Sequence, residues 1–118
     1  MSKPILCLDF DGVCHSYTSG WKGADIIADG PVDGLKEFLT EVCAVFDIHI
    51  FSSRSNQGGI MAMYDWFKEH TGSDIANCLT FPLDKPPAFV TIDDRAICFT
   101  GTWPSVEELQ NFKPWNKR

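Results

Sequence analysis

The sequence predicts an α/β fold in which a mainly parallel β-sheet carries helices on its faces. Short apolar runs alternate with stretches whose apolar residues recur at helical spacing. The apolar runs are nearly continuous, as in strands covered on both sides, and polar residues follow them. A length of 118 residues with 44% hydrophobic content fits one domain, residues 1–118, with a single core.

The first half of the chain predicts a strand, a helix and a second strand. The run ILCLDF, residues 5–10, is apolar and uninterrupted, which is typical of a central parallel strand. A helix is predicted from Pro31 to about Val45, because proline suits a first helical position and apolar residues then recur at helical spacing. The β-branched and aromatic run VFDIHIF, residues 45–51, predicts the second strand.

The second half continues this alternation. The remaining predicted elements are a helix from Ile60 to about His70, a weaker strand at NCLTF (77–81), a buried strand at AFVTI (88–92), a last strand at AICF (96–99) and a helix over 104–112 with Ser105 as its N-cap.

Composition narrows the expected partners and compartment. A net charge of −6 disfavours a broad nucleic-acid surface, which needs a basic stripe, and the basic run KPWNKR, residues 113–118, is interpreted as a solvated end. No segment approaches the roughly 18 consecutive apolar residues of a membrane span, and the opening residues reach acid too early for a secretory signal. The five scattered cysteines fit small buried side chains in a reducing compartment. A cytoplasmic protein without a membrane partner is expected.

Polar residues cluster where the predicted strands end. Asp9 and Asp11 follow the first strand one residue apart and repel each other unless a cation or a proton is shared. Ligands of parallel sheets bind at the carboxyl ends of the strands, so these acids are expected to meet the other polar groups there. Those groups are Ser52, Lys85, Asp93 and Asp94. An Asp-Gly pair alone would indicate only a turn, but a second acidic pair favours an Mg²⁺ site built from oxygen ligands.

The order of these residues resembles the four signature motifs of the haloacid dehalogenase (HAD) superfamily. The matching stretches are DFDGV, the strand ending at Ser52, Lys85, and TIDDRA, which together span residues 5–95. The resemblance implies a Rossmann-like three-layer fold with a sheet of order 5-4-1-2-3. It also implies a magnesium-dependent phosphatase that works through an aspartyl phosphate.

The resemblance implies distinct roles for the first two acids. Asp9 matches the nucleophile that attacks phosphorus, and Asp11 matches the general acid and base. The pKa of a free aspartic acid is about 3.9, so the environment of Asp11 is expected to favour its protonated form in part. The metal ion and Lys85 are expected to keep Asp9 ionised. An Asp at position 11 points to phosphate-ester hydrolysis within the family.

Metal and substrate ligands are implied in the same way. Asp93 and Asp94 match the acidic pair that completes the metal site with the Asp9 carboxylate and the Asp11 main-chain carbonyl. The residues expected to bind substrate are Ser52, Ser53, Arg54 and Lys85. Arg54 and Arg95 have two open interpretations, because each could bind the phosphate or pair with the acids.

The excursion over residues 12–30, called the flap below, leaves no room for a large cap domain. Within it, Trp21 could stack on a substrate ring or pack on the domain. An open site admits a nucleotide or other small phosphorylated metabolite, a nucleic-acid 3′-phosphate or a phosphoprotein, and a neighbouring subunit could close it. Two alternatives remain: a non-catalytic domain that binds Mg²⁺ or phosphate, and, ranked lowest, a signalling receiver domain.

Overall fold

Three parallel strands and four helices make up the fold of the computed structural model, which describes residues 2–117. In chain order the elements are β1 (Ile5–Leu8), α1 (Leu35–Val42), β2 (Asp47–Ile50), α2 (Ile60–Thr71), α3 (Ser73–Ala76), β3 (Val90–Ile92), α4 (Val106–Gln110) and a short 3₁₀ helix (Trp115–Lys117). The predicted α/β class is therefore correct.

The sheet has the order β2-β1-β3, with β1 in the centre. Leu8 is paired with Ile50 on one side and with Ile92 on the other, so the three strands end at the same level. The residues that follow the strands must emerge together at one edge of the sheet. This register is what gathers the polar groups described below.

The predicted five-strand order is not observed within residues 2–117. The NCLTF run contributes a single bridge, in which Thr80 exchanges backbone hydrogen bonds with the segment around His49 on β2. The AICF run forms no strand in the described part of the chain. Strand β3 was predicted to be buried, but Val90 is 44% and Ile92 is 41% exposed because β3 is an edge strand.

Helix α1 starts four residues later than predicted. Its N-cap is Gly34, whose φ of 89° lies in the left-handed region that glycine adopts without strain. The residues before it pair with the flap instead: the Val32 N–H donates to the Cys14 carbonyl, and Pro31 forms a bridge with His15. Helices α2 and α4 confirm their predictions, and the Ser105 hydroxyl accepts a hydrogen bond from the Glu108 N–H as the predicted cap.

The core lies between the sheet and helices α1 and α2. Its most deeply buried side chains come from β1 and the loop after it, from β2 and from the two helices, and include Leu8, Phe10, Leu39, Ile50 and Phe67. Cys7 and Cys14 are buried as predicted, whereas Cys78 and Cys98 are exposed. Among residues 2–117 no helix has both the length and the apolar character needed to cross a bilayer.

Candidate active site

Three carboxylates meet at the carboxyl edge of the sheet. Asp9, Asp93 and Asp94 each place one oxygen within 4.8 Å of the oxygens of the other two. The backbone holds this arrangement, since the Asp9 N–H donates to the Ile92 carbonyl at 3.0 Å and continues the pairing of β1 with β3. Oxygen donors in such a cluster match the preference of Mg²⁺ for hard ligands. The donor set therefore fits the predicted ion.

Gly12 allows the loop after β1 to approach the second acidic pair. Its φ is 84°, and a Cβ built on it would collide with the Asp94 carboxylate. The loop turns tightly around the Phe10 carbonyl, which accepts hydrogen bonds from the backbone N–H groups of Val13, Cys14 and His15. Glycine at this position is thus required both by backbone conformation and by space.

The acid cluster is short of positive charge. Burial, a hydrogen bond with Asp94 and the nearby charge of Asp93 raise the pKa of Asp9 to about 8. An acid that is half-buried beside two other acids favours its protonated form, unless a cation compensates the charge.

Asp11 lies in a different environment from Asp9. Arg54 Nε donates to both of its oxygens, at 2.9 and 3.2 Å, and His15 Nδ1 lies 2.8 Å from Oδ1. The Asp29 N–H donates to His15 Nε2, so the neutral ring carries its proton on Nδ1 and donates it to Asp11. Burial opposes ionisation of Asp11, but the hydrogen bonds from His15 and Arg54 outweigh it and lower the pKa.

This electrostatic environment departs from the sequence-based expectation for Asp11. The acid was expected to favour its protonated form in part, whereas its two donors stabilise the anion. Pairing of Arg54 with the acids was one of two open interpretations, but the expectation for the pKa of Asp11 did not include it.

Arg54 was predicted to bind substrate, and the structure gives it another position. Its side chain is fully buried and donates through Nη1 to the carbonyls of Gly23, Ala24 and Ile26 in the flap. The ring of Trp21 lies 4.7 Å from the guanidinium carbon. Arg54 therefore fastens the flap and pairs with Asp11, which is the second of the two interpretations left open by the sequence.

Ser52 is buried beside the acids, and Ser53 is exposed. The Ser52 hydroxyl accepts a hydrogen bond from the Arg54 N–H at 2.9 Å, which leaves its own proton available to a ligand. Lys85, also exposed, lies on the side of the site formed by Asp9 and Asp93. The six residues predicted for catalysis or metal binding, four acids, one serine and one lysine, thus line one continuous region.

Two cavities share Asp9, Ser52 and Ser53. One, here called the lysine cavity, has a volume of about 210 Å³ and includes Lys85 and Asp93 in its walls. The other, called the flap cavity, has a volume of about 230 Å³ and is lined by Asp11, Asp94 and residues of the flap. A third cavity of about 280 Å³ lies between α1 and β3, is lined mainly by apolar side chains and contains none of these acids.

The sequence reasoning missed one wall of the flap cavity. Asn116 and Lys117 of the 3₁₀ helix line it, and Trp115 Nε1 donates to the Gly12 carbonyl at 2.8 Å across 103 positions of sequence. The one available signal was the tryptophan within the basic run KPWNKR, since a large aromatic side chain favours contact with the rest of the protein over full exposure to solvent. Trp115–Lys117 are exposed, as the interpretation of residues 113–118 as a solvated end implies, but the contact of Trp115 with Gly12 was not predicted.

No family model, curated protein or solved structure matches this chain.

Proposed function

We propose that this chain is a magnesium-dependent phosphatase of the HAD type, which hydrolyses a phosphate monoester through an aspartyl phosphate on Asp9. The observation that carries the proposal is the cluster of Asp9, Asp93 and Asp94 oxygens at the carboxyl edge of the sheet. A hydroxyl from Ser52 and the lysine Lys85 lie beside the same Asp9. Nucleophile, metal ligands and phosphate ligands therefore surround one point.

Asp9, Asp93 and Asp94 are the residues that would hold Mg²⁺. The family resemblance adds the main-chain carbonyl of Asp11 as a further oxygen donor. Bound Mg²⁺ supplies the positive charge that keeps Asp9 ionised and polarises the phosphate. Lys85 adds a second positive charge on the side of the lysine cavity. Ser52 donates its hydroxyl proton to a phosphoryl oxygen, because its lone pair already accepts from the Arg54 N–H.

The reaction follows from these positions in two displacements. An Asp9 oxygen attacks phosphorus while the bond to the ester oxygen breaks, and the departing oxygen takes a proton from Asp11. A water molecule then attacks phosphorus, gives a proton to Asp11 and releases inorganic phosphate with the Asp9 carboxylate restored. Each step leaves Asp11 in the protonation state that the other step requires.

The substrate is proposed to be a nucleotide or another small phosphorylated metabolite. Two cavities of about 210 and 230 Å³ are small for ligand sites, which typically enclose roughly 300–1,000 Å³. The net charge of −6 also disfavours a long nucleic acid. A nucleic-acid 3′-phosphate or a phosphoprotein remains the alternative within the same reaction class.

The ion pair between Asp11 and Arg54 favours a second candidate, a non-catalytic domain that binds Mg²⁺ and a phosphorylated partner. An Asp11 whose pKa is lowered is a poor proton donor. Such a domain would use the same metal ligands and phosphate ligands without turnover. The two candidates therefore agree on binding and differ on chemistry.

The proposal also includes the finer sheet order of the HAD type. The observed order β3-β1-β2 corresponds to positions 4-1-2 of a 5-4-1-2-3 sheet, and the bridge at Thr80 lies where the third strand would pair with β2. Residues 96–99 would then form the fifth strand beside β3. Amide hydrogen exchange tests this directly, since pairing along 96–99 would slow exchange there and its absence would leave these amides unprotected.

Steady-state hydrolysis of p-nitrophenyl phosphate and a panel of nucleotides, with and without Mg²⁺, tests the proposed activity. Asp9→Asn should abolish turnover, whereas Asp65→Asn, which removes an exposed acid on α2, is the matched control and should retain it. Beryllium fluoride should trap the wild type and leave Asp9→Asn unlabelled. Mg²⁺ binding without hydrolysis of any phosphate would exclude the phosphatase and favour the binding domain.

A further inference from the structure

The flap cavity is where the leaving group of the substrate must lie, if the proposed function holds. Asp11 lines the flap cavity and is absent from the walls of the lysine cavity. In the proposed reaction Asp11 serves the departing oxygen, so the alcohol part of the ester projects toward Asp11. The residues around Asp11 therefore select the leaving group.

Two cations, Arg95 and Lys117, lie in the wall of this cavity. Among residues 2–117, neither Arg95 nor Lys117 has a side-chain ion pair. The cavity also contains three acids: Asp11 pairs with Arg54, and Asp9 and Asp94 belong to the acid cluster that would hold Mg²⁺ in the proposed function. Lys85 serves the transferred phosphoryl group from the other cavity. The positive charge of Arg95 and Lys117 is therefore in excess of what the transferred group needs.

Lys117 lines the cavity from a 3₁₀ helix that is attached to the loop after β1. The hydrogen bond from Trp115 Nε1 to the Gly12 carbonyl joins this helix to the loop that carries Asp9 and Asp11. Gly12 also contacts Asp94 on its other side. The helix is thus tied to the acid cluster through one residue, and a freely solvated lysine would have no such attachment.

We propose that Lys117 and Arg95 bind a second anionic group on the leaving group. The substrate is then a phosphate monoester whose alcohol part is itself anionic, such as a nucleoside that carries a second phosphate. Tyr17 and Trp21 add aromatic surface to the same cavity, which favours a planar group.

Thymidine 3′,5′-bisphosphate and thymidine 3′-phosphate are the matched substrates that test this inference, because they differ only in the second phosphate. Lys117→Ala should lower kcat/KM for the bisphosphate about tenfold more than for the monophosphate, mainly through KM. That ratio corresponds to the loss of one charge contact of about 1.4 kcal/mol. Lys36→Ala removes an exposed cation on α1, away from both cavities, and should change neither substrate.

Trp115→Phe is the second variant, since it keeps the ring and removes the donor to Gly12. It should weaken the same preference for the bisphosphate without removing the charge of Lys117. Equal effects of Lys117→Ala on both substrates, or none on either, would overturn the inference while the phosphatase stands.

A binding measurement separates this inference from the proposed function. Asp9→Asn, with and without Lys117→Ala, is titrated with thymidine 3′,5′-bisphosphate in the presence of Mg²⁺. If wild type shows no turnover but binding weakens about tenfold in Lys117→Ala, the phosphatase is wrong and the second anion site stands. If Lys117→Ala leaves this affinity unchanged, the anion site is wrong.

Discussion

Gly12→Ala tests the approach of the two acidic pairs more directly than any change to the acids themselves. The substitution adds one methyl group and alters no charge. It places a Cβ against the Asp94 carboxylate and puts alanine at a φ of 84°. Both effects should act at the acid cluster, because the same loop carries Asp9 and Asp11.

The expected loss has two parts that a control can separate. Left-handed backbone costs a residue with a Cβ about 1–2 kcal/mol. The added methyl group also forces the Asp94 carboxylate, which is only partly buried, to move away from the loop, and this adds to the loss. Gly58 has a nearly identical φ of 82°, and a Cβ there meets no atom within 4 Å. Gly58→Ala should therefore lose the first part alone.

Urea unfolding without metal measures these free energies, and titration with Mg²⁺ measures affinity. Gly12→Ala should unfold at lower urea than Gly58→Ala and bind Mg²⁺ at least about tenfold more weakly, because Asp94 must move. Gly58→Ala should bind Mg²⁺ like the wild type. Equal losses of stability in the two variants, with equal Mg²⁺ affinity, would show that Asp94 does not abut the loop and would refute the proposed cluster.

Three further predictions follow from the electrostatics and from a helix cap. The pKa of Asp9 is raised in the folded protein, so its contribution to stability is complete below about pH 4 and is lost as the pH rises toward about 8. Urea unfolding without metal should show this decline in the free energy of unfolding, a loss of a few kcal/mol at most. Asp9→Asn or added Mg²⁺ should make the free energy of unfolding less dependent on pH. Arg54→Met leaves Asp11 without its cation and frees three flap carbonyls, so the free energy of unfolding should fall by about 3–5 kcal/mol, whereas Lys36→Met should change it little. Ser105→Ala removes the acceptor of the Glu108 N–H and should speed amide exchange in α4 by the equivalent of about 1 kcal/mol without lowering global stability, because α4 buries no residue; unchanged exchange would contradict the cap.

The sequence predicted the positions of the acids well because strand ends are encoded locally. The apolar run of β1 stops at Asp9 and that of β3 stops at Asp93, and parallel pairing in register brings such ends to one edge. The spacing of Asp9, Asp11 and the later acidic pair therefore carried enough information to predict a common site. Local pattern and tertiary placement agree here.

The partners of Asp11 were not predictable in the same way. The ion pair with Arg54 depends on the flap, since the three carbonyls that accept from Arg54 belong to residues 23–26. Irregular segments have no periodicity from which such contacts could be inferred. The Trp115 contact with Gly12 has the same character, because the sequence shows a tryptophan in the basic run but does not identify the residue 103 positions away that it contacts.

The burial of β3 was wrong for a different reason. The apolar run AFVTI shows that these side chains favour an apolar environment, but it does not show whether neighbouring elements cover them. Strand β3 pairs with β1 on one side, and the residues of AICF do not extend the sheet on the other. Hydrophobic pattern predicts a strand more securely than it predicts the neighbours of that strand.

Arg54 links the position of the flap to the charge of Asp11. Burial raises the pKa of Asp11, and the hydrogen bonds and charges of His15 and Arg54 reverse that effect. The guanidinium of Arg54 makes the hydrogen bonds to the flap carbonyls and the ion pair with Asp11. A substrate that displaced the flap would therefore strain both sets of contacts. Asp11 would then regain its proton at the moment when a leaving group needs one. A binding domain needs no such movement, so a flap that stays in place when phosphate binds would favour the binding domain over the enzyme.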